Sequence, residues 1–175
     1  MRRKTIVADY ETHIDENNKK TFTYSGPLYH IEWPGASRRH FLILSWLLPI
    51  ATGVLFIMMG RLNTGSTRQM LVTLPFVGLF MPFALLVADA YKLTVYKGAM
   101  TRTQYTRSFA QQTGCVIAGL ILCALMLIFD VVYLLTVDGA FNRSEGIFLA
   151  LGCAMAVVFA LFYAKKKQIR VTKAQ

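Results

Sequence analysis

A chain of 175 residues has room for one domain or one compact bundle. Its residues are 55% hydrophobic, against about 45–50% in a soluble domain, and its mean hydropathy is +0.45; with the apolar residues gathered into long runs, this argues against a soluble fold. The net charge of +10, from 19 Lys+Arg against 9 Asp+Glu, would point to nucleic acid in a soluble protein, but here the bases lie between the apolar runs, as topology signals do, and no nucleic-acid partner is expected.

Residues 1–40 read as a small β-rich segment ending in a basic collar. The stretches KTIVADYETHI and KKTFTYS are rich in β-branched and aromatic residues and flank the turn formers Asp15-Glu16-Asn17-Asn18, which predicts a hairpin with a four-residue loop. Gly26-Pro27 breaks the chain. LYHIEW then alternates Leu28/His30/Glu32 against Tyr29/Ile31/Trp33, the period of a third, half-buried strand. Three strands bury little by themselves, so the Tyr29/Ile31/Trp33 face needs a surface to dock on: headgroups, the loop at 89–112, or a partner protein. Pro34-Gly35 ends the segment before Arg38-Arg39-His40. No short apolar stretch with a small-residue cleavage site is visible, so the first apolar run is expected to act as an uncleaved signal anchor.

Four runs then reach the length of a membrane span, about 17–25 residues: Phe41–Gly60, Met70–Ala88, Thr113–Val137 and Ile147–Ala164. Only the third carries an internal charge, Asp130. The expected fold is an all-α four-helix transmembrane bundle over residues 41–164, with the β-rich segment and a basic tail, 165–175, on the cytoplasmic side. Seven bases precede Phe41, four lie in 89–112 and five follow Ala164, against two in 61–69 and one in 138–146. The positive-inside rule places both termini in the cytoplasm. The collar and the Lys165-Lys166-Lys167 triplet suit an anionic inner leaflet, such as that of a plasma membrane, at about 1 kcal/mol per base. Trp33 and Trp46 bracket the inner interface.

The loop at 89–112 contains Thr101 three residues before Gln104, a capping-box pattern that starts a helix running into the third span. Tyr105 and Phe109 share a face there. With Tyr29, Ile31 and Trp33 they form a candidate docking interface on the cytoplasmic side. Packing inside the membrane is assigned to rows of small residues four apart: Gly152, Ala156 and Ala160, continuing to Ala164, on the fourth run, and Cys115, Gly119 and Cys123 on the third. Pro49, Pro75 and Pro82 are expected to bend their helices. LPFVGLFMP, with Gly78 between two prolines, has the least regular backbone expected in the membrane.

Chemistry is sparse. No nucleophile elbow, zincin motif or paired-Cys metal pattern occurs, and the GRLNTGST stretch lacks the lysine of a phosphate-binding loop. The three cysteines fall inside spans, which argues against a disulfide framework. His13, His30 and His40 are widely separated. No cofactor or metal site and no enzyme activity are expected. Asp130 lies about seven residues before the outer end of its span, roughly 10 Å deep at about 1.5 Å per residue. Arg61 and Arg68 start from that side and have stems long enough to reach it, and Thr73 and Tyr133 are candidate hydrogen-bond partners. Asp130 is then either a structural pair or a working site. These features predict a non-enzymatic accessory or scaffold subunit of a membrane complex, with a protein partner or a second copy in the membrane. The alternative is a small homo-oligomeric transporter or channel that uses Asp130.

Overall fold

The computed structural model describes residues 9–14, 20–32, 38–96, 98–137 and 139–174; Trp33 and the turn residues 15–18 lie outside them. Four helices carry the apolar runs: α1 (Arg38–Gly60), α2 (Met70–Val95), α3 (Arg102–Thr136) and α4 (Arg143–Lys167), each long and apolar enough to cross a membrane. All but α1 extend well past the runs that predict them, because caps and not hydropathy set helix ends. Thr101 Oγ1 accepts from Gln104 N and the Gln104 side chain accepts from Thr101 N, so the capping box forms as expected and starts α3 far ahead of Thr113. Asn142 accepts from Glu145 N and starts α4 at Arg143, ahead of Ile147.

The irregular backbone of α2 falls where the prolines predict it. Met70–Gly78 and Phe80–Val95 meet at Leu79, whose N–H donates to both Pro75 O and Phe76 O. Pro49 is accommodated inside α1.

The core is a seam between α3 and α4. On α3 the buried positions include Gln112, Val116, Gly119, Cys123, Met126 and Asp130. On α4 they are Glu145, Phe148, Gly152, Met155, Phe159, Phe162 and Lys166. Both sets step by three and four residues in alternation, the heptad spacing that keeps one stripe of a helix facing its neighbour. Two glycines let the backbones close: a Cβ on Gly119 would stand 2.6 Å from the Phe159 ring, and one on Gly152 would stand 2.8 Å from Leu127 Cδ2 and 2.9 Å from Met126 Cε.

The small-residue row on α4 requires correction. Gly152 is buried and Ala156 partly buried, but Ala160 and Ala164 are exposed. A strict four-residue row advances about 40° per step around a helix of about 3.6 residues per turn, so it leaves the seam that Gly152 occupies. Cys115, Gly119 and Cys123 are buried as expected.

Beyond the helices, β1 (Tyr10–Ile14) and β2 (Lys20–Tyr24) pair antiparallel as the predicted hairpin. The third predicted strand, β3 (Leu28–Glu32), forms but pairs with β4 (Arg170–Ala174), in what sequence reading treats as a basic tail. Ile31 sits opposite Val171, and both pack against the core. Tyr29 exchanges backbone hydrogen bonds with Met100 at 2.8 and 3.0 Å and stacks flat on Tyr105, centroids 4.6 Å apart. Of the surfaces considered for this strand, the 89–112 segment receives it. The hairpin is tied in as well: Arg102 N donates to Tyr24 Oη at 3.0 Å, and Arg102 lies 3.9 Å from Asp9.

Gly119→Ala forces the buried Phe159 ring aside and should cost about 1–3 kcal/mol, as overpacking does. Ala160→Leu on the exposed side of α4 should stay within about 0.5 kcal/mol. Thermal unfolding of the purified protein checks both.

Candidate functional site: two buried polar layers

Each end of the α3–α4 seam carries a buried polar layer. At the Lys166 end, the Lys166 side chain is only 4% exposed. Its Nζ donates to Phe109 O at 2.6 Å and Gln112 Oε1 at 2.9 Å, and sits 4.3 Å over the Phe109 ring. Nearby, Asp89 is fully buried and pairs with Lys92 at 3.0 Å, while Lys92 also donates to Arg107 O at 2.9 Å. Lys166 and Asp89 also act on each other electrostatically. The two carbonyls that accept from lysines, Arg107 O and Phe109 O, belong to a π-turn over Thr106–Ala110. Such a turn distorts the regular backbone ladder, and the lysine ammonium groups supply strong donors to it.

This layer corrects two expectations. Lys166 is not a surface base of the Lys165-Lys166-Lys167 triplet, because the heptad step from Phe162 turns it inward while Lys165 and Lys167 stay exposed. Tyr105 and Phe109 do not offer a free docking face. Phe109 is buried against Phe41 and Lys166, and Tyr105 is covered by Tyr29. Tyr29, Ile31, Tyr105 and Phe109 thus form an interface within the chain, because the apolar strand residues Tyr29 and Ile31 and an amphipathic first turn meet each other's need for cover.

At the other end lie Asp130 and Glu145, both 0% exposed. Ser66 holds the Glu145 carboxyl group at both oxygens: Ser66 N donates to its Oε1 at 3.1 Å and Ser66 Oγ to its Oε2 at 2.7 Å. Thr64 Oγ1 stands 3.3 Å from Ser66 Oγ and 2.9 Å from Thr67 Oγ1. Gly65 leaves no room for a side chain, since a Cβ there would collide with the Tyr133 hydroxyl and meet Glu145 Oε1 at 3.4 Å. Ser66 and Glu145 are the polar neighbours that act on Asp130. A hydroxyl has one proton, however, and that of Ser66 closes on Glu145. Neither oxygen of Asp130 has a hydrogen-bond donor among the described residues.

The arginine partnership expected for Asp130 does not form. Arg61 is exposed, and Arg68 is exposed and donates to Asn63 Oδ1 at 3.2 Å. The 3-10 turn at Ser66–Arg68 buries Ser66 and leaves Arg68 exposed. Thr73 is also occupied elsewhere, donating to Thr67 O and to Gln69 O. Of the predicted companions of Asp130, only Tyr133 reaches this layer.

Sequence reading missed Glu145, Ser66, Gln112, Asp89 and Lys166 as buried polar groups. A search for charge-free runs places Glu145 and Lys166 just outside the fourth span. The available signal is periodic: Glu145, Phe148, Gly152, Met155, Phe159, Phe162 and Lys166 keep the three-four step from end to end. No group of three or more His, Cys, Asp or Glu side chains placed to hold a metal occurs among the described residues. Comparison with family models, curated proteins and solved structures finds no match to the chain.

Removing Lys166 strips buried acceptors and the buried Asp89 of a cation. Lys166→Ala should therefore destabilise by about 3–5 kcal/mol, whereas Lys165→Ala and Lys167→Ala should stay within about 0.5 kcal/mol. Denaturant or thermal unfolding distinguishes them.

Proposed function

We propose that this chain is a multi-pass membrane protein, with both termini in the cytoplasm, that acts as a non-enzymatic accessory or scaffold subunit of a membrane complex. The four helices turn apolar side chains outward, among them Ile43, Ile57, Leu74 and Met81 at 57%, 62%, 62% and 70% exposure. Water is a poor solvent for such a surface and lipid a good one. Beside Trp46 and Thr94 an apolar groove of about 350 Å³ opens on this surface with Arg39 in its lining, which suits an acyl chain below an anionic headgroup. The distribution of bases supports the orientation, which puts the Lys166 layer and the four strands on the cytoplasmic side and Asp130 on the other.

The observation that carries the scaffold reading is the seam between the polar layers. Gln112 and Asp130 are about 27 Å apart along α3 at about 1.5 Å per residue, close to the roughly 30 Å of a bilayer's hydrocarbon. Between them α3 buries Cys115, Val116, Gly119, Cys123 and Met126, while α4 buries Phe148, Gly152, Met155, Phe159 and Phe162. On α1, Thr52 donates to carbonyls of its own helix, Leu48 O and Pro49 O. A polar solute crossing this seam would meet aromatic and sulfur side chains with little to solvate it. The exposed residues of the strands and of the first turns of α3, such as His30, Glu32, Arg102 and Arg107, are left as the cytoplasmic surface for a partner.

The second reading, a small homo-oligomeric transporter or channel, draws on Asp130, a buried carboxyl group with no hydrogen-bond donor among the described residues. Purification in mild detergent should bring down a partner at fixed stoichiometry; a clean homo-oligomer would overturn the scaffold reading. Proteoliposomes of the purified protein should show no cation flux above protein-free vesicles. Flux that Asp130→Asn abolishes would instead establish the transporter.

A further inference from the structure

We propose that Asp130, Glu145 and Ser66 hold a hard, oxygen-seeking metal cation of the Ca²⁺ or Na⁺ class at the Glu145 end of the bundle. The inference assigns a ligand class to the carboxyl group on which the transporter reading rests, and it stands whether or not ions cross the membrane. Two fully buried carboxyl groups act on one another in this layer, and no Lys, Arg or His ion pair to either occurs among the described residues. Like charges in a low-dielectric interior repel strongly. The two shortest Ser66 hydrogen bonds, from N and Oγ, go to Glu145, with a longer one from Oγ to Thr64 Oγ1. Asp130, entirely removed from solvent, has Ser66 and Glu145 as polar neighbours, and its two oxygens accept no hydrogen bond among the described residues.

The groups gathered here are all oxygen: the two carboxyl groups, Ser66 Oγ and, 3.3 Å from it, Thr64 Oγ1, with the Tyr133 hydroxyl beside Gly65. Carboxylate and hydroxyl oxygens without sulfur or imidazole select hard cations and disfavour Zn²⁺ or Cu⁺. Mg²⁺ keeps several waters and near-octahedral geometry, which a water-excluded layer does not favour. A cation would bind the Asp130 oxygens, which accept no hydrogen bond among the described residues, and leave the Ser66 contacts to Glu145 in place.

The test is thermal unfolding of the full chain in detergent after chelation, with ionic strength held by choline chloride and CaCl₂ or NaCl titrated separately. A saturable rise of several degrees is expected. It should be lost in Asp130→Asn and Glu145→Gln and kept in Glu32→Gln, an exposed carboxylate on β3. Ca²⁺ acting at lower concentration than Na⁺ identifies the divalent ion, and the reverse identifies the monovalent one. Asp130→Asn removes the repulsion and should unfold no lower than the cation-free native protein. No saturable response, or one that survives in Asp130→Asn, overturns the proposal. A stabilised Asp130→Asn beside an unresponsive native protein also overturns it, since a shared proton would then neutralise the pair. If Asp130→Asn does not fold, calorimetric titration of the native protein decides: one cation per chain supports the site and no binding overturns it. Cation binding without flux in vesicles leaves this site standing while the transporter reading fails.

Discussion

Helices in an apolar surround gain little from burying more apolar surface, so close packing and buried polar contacts set how they meet. On the proposed membrane placement that constraint acts first on α3 and α4. Gly119 takes the Phe159 ring and Gly152 takes Met126 and Leu127, a reciprocal exchange in which each helix supplies one hollow and one set of knobs. With these approaches fixed, the ends of the seam follow: Lys166 meets Gln112 on one side while Asp130 and Glu145 come together on the other. Sliding one helix past the other by a turn would bury these groups against apolar side chains. The polar layers therefore act as register pins, a well-attested use of buried polar residues.

The rest of the chain is arranged around that pair. α1 and α2 pack onto it, with Phe41 reaching both Phe109 and Phe162, and Phe76 reaching Phe148. β3 lies just before α1 and β4 just after α4, so their pairing ties the start of the first helix to the end of the last. The Tyr29–Tyr105 stack adds the start of α3 to the same junction. Arg38 completes it by donating to Tyr96 O at the end of α2. Four helix ends are thus held together on the side that carries most of the bases.

The two layers differ in how far their charges are answered. At the Lys166 end, two lysines answer a carboxylate, an amide oxygen and two π-turn carbonyls, while Asp89 Oδ2 and Gln112 Nε2 have no hydrogen-bond partner among the described residues. At the Glu145 end there are two carboxyl groups and no paired cation among the described residues, and Ser66 donates to Glu145 while Asp130 accepts no hydrogen bond among them. A layer that only pinned the register would have no need of the second acid. That imbalance directs attention to Asp130 as a ligand-holding group, while the apolar seam separates it from the opposite face.

The sequence by itself determined the number of helices, the hairpin, the third strand and the capping box at Thr101 and Gln104. Each depends on residues close together in the chain: an apolar run, an alternation, a three-residue spacing. It also marked Asp130 as unusual, because a charge inside an apolar run is visible locally. The partners of Asp130 were not legible in that way. Reach alone nominated Arg61 and Arg68, but a short 3-10 turn sends Arg68 outward and brings Ser66 and Glu145 in. Lys166 looks like its exposed neighbours until the turn of α4 places it on the seam. Residues 165–175 read only as a basic tail until β3, far away in sequence, offers an edge to Arg170–Ala174. Helix phase, chain reversal and strand pairing join distant residues, and only tertiary structure decides which of them meet.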